Sequence, residues 1–371
     1  MKAAKRRNRV ILAAERVKTP RWFGDTVSPE GDAPTDTAND VGDVLAETVE
    51  KVEKLIPPQD RKHKLISDGV PTEWLMESAR RWITAMMADE GVLEPIESAN
   101  RRTKAEIRSR ESGTLAGLYV ADILLREWMP EARFSWTLAE GSKIEAGTCI
   151  LTVEGGRHQI LVCERIILNI LGRLSGIATN TARWVENSQI PLAATRKTAW
   201  GALDKAAVAV GGGLTHRIHR ADALMLKEND LASTAEKGDV GPTRVRKVLR
   251  DIPKESIGAF VTIEVRTLDE ALAAAEAWAE RMLEEDSTPG PVLEGVKLNI
   301  MLDNMGPELT RDAVLDIETR GLREYVTIEA SGNIVFEELE SWQSSKVDII
   351  STSGLHRAAP PLDLTCIFDG V

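Results

Sequence analysis

Five side chains able to carry positive charge, Arg196, Lys197, His216, Arg217 and Lys227, fall in three short segments of an otherwise acidic chain. Gathered at one place they are costly to hold unless an anion compensates them. Arginine offers a planar fork that grips carboxylate or phosphate through two parallel hydrogen bonds. Each charge-assisted bond contributes about 1.5–3 kcal/mol, so the set implies an acidic ligand with more than one anionic group. Two carboxylates, Glu264 and Asp303, could hold Mg2+, stabilise positive charge developing in the ligand, or balance the cations. Two late glycine turns, Ser331-Gly332-Asn333 and Ser353-Gly354-Leu355, offer the backbone N–H groups from which phosphate sites are built.

Blander readings stand beside these. An Arg-Lys pair at a strand end is often a salt-bridged surface feature, and a lone histidine is often structural. Asp303 could cap the helix that starts near Pro307. Gly211-Gly212-Gly213 lacks both the Gly-Lys-Ser/Thr of a P-loop and the spacing of a dinucleotide fingerprint. What favours a site is position. Short apolar runs precede each cluster: Pro191–Ala194, Ala223–Leu226, Phe260–Ile263, Leu298–Leu302, Val326–Ile328 and Val347–Ile350. Continuous runs of this length suit strands buried on both faces of a parallel sheet. In a parallel α/β barrel the carboxyl ends of all strands open on one face, so clusters far apart in sequence would converge.

Upstream, about Pro71 to Gly156 reads as a smaller α/β unit. Helices are expected at Trp74–Met87 and Gly113–Trp128, with strand-like structure over Phe134–Glu154. A long helix follows from Cys163 to about Val185, and Gly172 and Gly176 inside it suit close backbone packing. Residues 1–22 carry eight Lys/Arg and a single Glu15. Residues 24–43 are acidic and rich in Pro, Gly and Thr, which reads as a linker. Residues 44–56 have the spacing of an amphipathic helix. The expected division is an extension over 1–60, disordered or partly helical, an α/β domain over 61–180, and a barrel over 181–354. The segment from about 355 to 371 could return to the first domain.

The 371 residues, 43% apolar and 28% charged, suit a globular enzyme with a large core. A net charge of −11 argues against nucleic acid as partner. No apolar run approaches the roughly 18–20 residues needed to cross a bilayer. Three cysteines without CxxC spacing favour a reducing compartment over a zinc site. A cytoplasmic location is therefore expected.

The ordered set of motifs resembles the quinolinate phosphoribosyltransferase family, also called nicotinate-nucleotide pyrophosphorylase (carboxylating). The matching stretches are Glu164-Arg165 through Leu174-Ser175-Gly176-Ile177-Ala178-Thr179, then Thr195-Arg196-Lys197-Thr198 and Gly211-Gly212-Gly213-Leu214-Thr215-His216-Arg217. They continue with Leu226-Lys227-Glu228-Asn229, Ile263-Glu264-Val265, Met301-Leu302-Asp303-Asn304-Met305, Glu329-Ala330-Ser331-Gly332 and Ile350 to Pro360. Similarity spans roughly residues 100–368.

The resemblance implies an α/β sandwich domain followed by an irregular TIM-like α/β barrel, the type II phosphoribosyltransferase fold. It also implies a homodimer with shared sites. The implied reaction joins quinolinate to phosphoribosyl pyrophosphate with Mg2+, giving nicotinate mononucleotide, pyrophosphate and CO2, as in NAD biosynthesis. Arg165 would reach a neighbouring subunit's site and join Arg196, His216, Arg217 and Lys227 around the quinolinate carboxylates. Lys197 would attend the phosphates, Glu264 and Asp303 the ribose and its metal, and the two glycine turns the 5′-phosphate. Three departures stand out. Ala199-Trp200-Gly201 replaces the family's Pro-Gly, Asp230 replaces a histidine, and no clear Gly-Asp-Thr motif is present near the N-terminus. The competing expectations are a phosphoribosyltransferase for nicotinate or another anionic heteroaromatic acid, and a non-catalytic scaffold acting through its basic arm.

Overall fold

The computed structural model describes residues 57–97, 102–234, 241–286 and 296–369. The basic arm, the acidic linker and the helix expected over 44–56 lie outside them. Gln59 and Asp60, counted with the extension above, are buried, and the Arg61 backbone N–H donates to Thr215 Oγ1 at 2.8 Å.

The strands in chain order are β1 Ile66–Ser67, β2 Val70–Pro71, β3 Arg102–Ser109, β4 Gly113–Thr114, β5 Arg133–Trp136, β6 Lys143–Ile144 and β7 Cys149–Gly156. Then come β8 Leu192–Ala194, β9 Leu224–Leu226, β10 Val261–Val265, β11 Leu298–Asp303, β12 Val326–Ser331, β13 Ile349–Thr352 and β14 Leu364–Phe368. β8 to β13 form one six-stranded sheet in the order β8-β13-β12-β11-β10-β9, parallel throughout. Each apolar run of the second half has become one of these strands. The sheet curls into a barrel-like half that stays open between β8 and β9. Helices cross between the strands, including Ala202–Val210, Gly241–Asp251, Leu268–Asp286 and Gly306–Thr319.

A second, four-stranded sheet runs β14-β3-β7-β5 and is antiparallel. The C-terminal strand thus pairs with β3 rather than with the parallel sheet. Against this sheet and the helix Leu118–Trp128 lies the thirty-residue helix Arg157–Glu186. Its inward face carries Ile160, Cys163, Ile167, Ile170, Leu171, Leu174 and Ile177, all buried. It also packs on Ala202–Val210, so one rigid rod joins the antiparallel sheet to the first segment of the parallel one.

The helix expected over Gly113–Trp128 begins only at Leu118. Gly113 and Thr114 pair with Ile144 and Lys143 instead, and the buried Glu140 carboxylate ends the irregular stretch. Its two oxygens accept the N–H groups of Gly117 at 2.6 Å and Leu118 at 2.8 Å, which otherwise lack partners at a helix start.

Gly176 shows why the long helix needs glycine. The C-terminal segment crosses it so closely that a Cβ there would lie 2.0 Å from Pro360 O and 2.9 Å from Pro361 Cα. Backbone cannot move aside as a flexible side chain can. Gly176→Ala should therefore destabilise the protein by about 3 kcal/mol, the upper end of ordinary overpacking costs. Urea unfolding of the two proteins measures it, and a change under 1 kcal/mol would mean that the crossing segment adapts.

Candidate active site

A cavity of about 420 Å3 opens at the carboxyl end of the parallel sheet, within the range usual for small-molecule sites. Arg196 and Lys197 enter it from just after β8, and His216 and Arg217 from the loop after the Gly211–Gly213 turn. Lys227 follows β9, Glu264 is the penultimate residue of β10, Asp303 ends β11, Ser331 ends β12, and Gly332 and Asn333 follow it. Ten of the residues singled out from sequence therefore share one cavity, although Arg196 and Asn333 stand 137 positions apart.

Four do not line it. Arg165 is exposed on the outer face of the helix Arg157–Glu186. Ser353, Gly354 and Leu355 are also outside the lining. The physical reason lies in where β13 runs. The strand begins at Ile349, two residues later than the apolar run suggests, and extends through Thr352. Asp348 is occupied before it, accepting the Ile328 N–H at 2.6 Å. Ser351 is thus carried to the cavity, while the following turn folds away. Gly354 N–H donates to Thr352 Oγ1 at 3.0 Å, and Asn180 Nδ2 donates to the carbonyls of Gly354 and Leu355, both at 2.9 Å.

The acidic side chains are held by cations. Lys227 Nζ bonds Glu264 Oε2, and Arg266 Nε lies 3.5 Å from Asp303 Oδ2. Asn304 Nδ2 donates to Asp303 Oδ2 at 2.9 Å, and Asn304 Oδ1 accepts from Asn333 Nδ2 at 3.1 Å. The turns after β11 and β12 therefore interlock. Gly332 is needed there: its φ is +101°, and a Cβ would meet Asn304 Oδ1 at 2.4 Å. By contrast, among the described residues Arg196, Lys197 and Arg217 make no ion pair with a carboxylate. Arg217 is only 8% exposed. Burial, then Arg196 and Arg220, push its guanidinium below the ordinary range. Its own bonds go to Ala223 O at 3.3 Å and Met225 Sδ at 3.2 Å.

Sequence reasoning passed over Lys205, the one cation in the apolar helix Ala202–Val210 and 1% exposed. Its isolation among alanines and valines was the available signal. Its ammonium donates to Ala194 O at 3.0 Å and to Thr215 O, tying the end of β8 to the loop that carries His216 and Arg217. The neighbouring Asp204 is wholly buried. Its carboxylate accepts two bonds from Arg173, at 3.0 and 2.8 Å, and the N–H groups of Ala199 at 2.8 Å and Trp200 at 3.1 Å. Trp200 stacks on Trp82 at 5.9 Å, with the Arg173 guanidinium 5.0 Å from its ring. The altered Ala199-Trp200-Gly201 loop is therefore anchored against the Glu73–Asp89 and Arg157–Glu186 helices. Thr195, Met225, Met301, Asn304 and Ser351 complete the cavity wall.

Family models agree with this geometry. Residues 84–175 match the quinolinate phosphoribosyl transferase N-terminal domain and residues 177–366 match the C-terminal domain. The chain belongs to the quinolinate phosphoribosyltransferase family. It is 34% identical over 305 residues to the "Probable nicotinate-nucleotide pyrophosphorylase [carboxylating]" of Methanothermobacter thermautotrophicus, covering 80% of this chain and all of that one. It is 30% identical over 277 residues to "Quinolinate phosphoribosyltransferase [decarboxylating] 1" of Nicotiana glauca, covering 72% of this chain and 74% of the relative. Among solved structures, the nicotinate-nucleotide pyrophosphorylase of Francisella tularensis superposes with a TM-score of 0.63 at 27% identity, over 79% of this chain and 97% of that one. The N-terminal domain followed by a barrel-like C-terminal domain is thus the fold of the family.

Lys205 makes this family site sensitive to pH. Burial, then Arg196 and Arg217, lower its pKa from 10.5 to about 7. Between those values the unfolded chain binds the proton and the folded chain does not, so stability rises with pH across that window. Wild type should gain about 2 kcal/mol over Lys205→Met between pH 7 and pH 9, read from urea midpoints at each pH. A difference between the two proteins that stays constant from pH 7 to pH 9 would show that the lysine stays fully charged in the fold.

Proposed function

We infer that the protein transfers a phosphoribosyl group from phosphoribosyl pyrophosphate to quinolinate with decarboxylation, releasing nicotinate mononucleotide, pyrophosphate and CO2. The observation that carries this reading is a set of cations, Arg196, Lys197 and Arg217, that have no ion-paired carboxylate among the described residues and share one cavity with Glu264 and Asp303. Positive charge held without carboxylate partners suits a ligand that brings two carboxylates of its own. In the reaction the pyridine nitrogen bonds to ribose C1 as the C1–O bond to pyrophosphate breaks. The C2–carboxylate bond then breaks, its electrons stay on the ring carbon beside the now positive nitrogen, and a solvent proton replaces CO2.

In this reading Arg196, Arg217 and Lys227 orient the diacid, and Lys197 meets phosphate oxygens. Glu264 and Asp303 face the ribose, where positive character develops at C1, and the amides of Ser331, Gly332 and Asn333 receive the 5′-phosphate. Catalysis is then chiefly positioning and fixed electrostatics. Mg2+ suits the acidic pair: among the described residues no three His, Cys, Asp or Glu are gathered for a metal, and Mg2+ commonly binds one or two carboxylates plus substrate phosphates. When bound it would neutralise pyrophosphate charge, with Glu264 and Asp303 as its protein partners.

Arg165 and the 48%-exposed Leu161 share the outer face of the long helix. We place a second copy of the chain against that face, with Arg165 completing the partner's site. The thiols of Cys149, Cys163 and Cys366 are free, which suits a cytoplasmic enzyme. Among the described residues no helix is long and apolar enough to cross a membrane. A nicotinate-specific transferase would have one carboxylate fewer to meet, and Arg196, Lys197 and Arg217 together favour the diacid.

The direct test supplies purified protein with quinolinate, phosphoribosyl pyrophosphate and Mg2+ and follows CO2 and nicotinate mononucleotide. Turnover with nicotinate and none with quinolinate would overturn the reading. Arg217→Ala should raise the KM for quinolinate by roughly 100-fold, the loss of two charge-assisted bonds. The KM for phosphoribosyl pyrophosphate should stay within about threefold, and equal loss of both would contradict the role given to Arg217.

A further inference from the structure

Beneath the cavity the inner face of the parallel sheet is polar where a barrel interior is ordinarily filled by branched apolar side chains. Thr262 on β10, Asn299 on β11 and Glu329 on β12 are each 1% exposed or less. Thr327 Oγ1 donates to Asn299 Oδ1 at 3.2 Å, which turns the amide nitrogen of Asn299 the other way. That nitrogen donates to Thr262 Oγ1 at 3.1 Å and to Glu329 Oε2 at 2.6 Å. The same Glu329 oxygen lies 3.1 Å from His216 Nε2. On the opposite side of that ring, Nδ1 accepts the Arg217 backbone N–H at 2.8 Å.

We infer that Glu329 is the positioning residue that keeps His216 in its uncharged Nε2–H form, so that the diacid is held by Arg196, Arg217 and Lys227 and not by an imidazolium. Both other forms of the ring fail on these contacts. An imidazolium would point Nδ1–H at the Arg217 N–H, donor against donor. The Nδ1–H tautomer would repeat that clash and also set the Nε2 lone pair against a carboxylate oxygen. Only Nε2–H satisfies both sides. Both ring nitrogens are then engaged, and Phe260 lies edge-on to the ring at 5.3 Å between centroids.

Glu329 is suited to the task. It is wholly buried, and its Oε2 also accepts the Asn299 amide at 2.6 Å. It therefore remains an acceptor. What the chain of contacts achieves is direction. His216 has φ +50°, a left-handed conformation uncommon for a side chain of this size, and its two ring bonds hold it there. Arg217 leaves the backbone from that fixed turn. Glu329 thus acts on the ligand through His216 and Arg217, without touching it.

The ring form is independent of the proposed function, whereas the effect on quinolinate rests on it. The full chain labelled with 15N reports histidine ring protonation through long-range proton–nitrogen correlations, with the His216 pattern assigned as the one lost in His216→Asn. At pH 7 the wild type should show a protonated Nε2 and a bare Nδ1. Glu329→Ala should lose that pattern and raise the KM for quinolinate at least tenfold, with the KM for phosphoribosyl pyrophosphate within twofold. Glu329→Gln should keep the pattern and return the quinolinate KM to within threefold. Its amide oxygen can take the Nε2–H, and its NH2 falls where Glu329 Oε1 has no partner to lose.

A doubly protonated or Nδ1–H ring in the wild type overturns the proposal. So does an unchanged ring in Glu329→Ala, or a Glu329→Gln variant as impaired as Glu329→Ala. If Glu329→Ala does not fold, the wild-type and Glu329→Gln spectra still decide. An Nε2–H ring in a protein that does not turn over quinolinate would uphold the ring assignment and refute the function alone.

Discussion

Positive charge held together with no ion-paired carboxylate among the described residues is the constraint from which the rest of this molecule follows. Arg196, Lys197 and Arg217 repel one another, and Arg217 is nearly buried besides. Such a group stays in place only if the surrounding backbone is over-determined. Lys205 ties the end of β8 to the Thr215 carbonyl, Asp204 gathers the N–H groups of the next loop, and His216 fixes the turn from which Arg217 departs. These are buried polar contacts that an apolar core would not need. They make sense as the frame of an anion site whose charge balance is completed by its ligand.

The architecture supplies that frame cheaply. Parallel pairing places every strand end of the six on one side, so residues far apart in sequence need no long reach to meet. The helix Arg157–Glu186 then binds the antiparallel sheet, the C-terminal crossing segment and the Ala202–Val210 helix into one support. Arg173 on that helix grips Asp204, and the Trp82–Trp200 stack adds a second hold from the N-terminal domain. The loop Ala199-Trp200-Gly201, which departs from the family's, is therefore braced from outside the barrel.

Much of this was legible in the chain because doubly buried strands demand uninterrupted apolar runs, and all six are present. Legibility failed where charge or context broke the pattern. Arg102–Ser109 carries Arg, Lys and Glu on its exposed face, with only Ala105, Ile107 and Ser109 buried, so no apolar run marks β3. The stretch before Leu118 looked helical because its strand partner and the Glu140 carboxylate are remote in sequence. For Ser353-Gly354-Leu355, nothing local reveals that Asn180 holds the carbonyls of Gly354 and Leu355. Glu329 was visible as a charge directly after the run Val326–Ile328, but its partner His216 is 113 residues away.

The sequence by itself determined the family, the parallel sheet and the identity of the groups that gather at its open end, since residue type and apolar period are local properties. Tertiary structure decided which of those groups keep a free valence. His216 spends both ring nitrogens internally and Gly354 spends its N–H, whereas Arg196, Lys197 and Arg217 line the cavity with no ion-paired carboxylate among the described residues. A hydrogen-bond partner is a matter of distance in space, and no spacing along the chain records it.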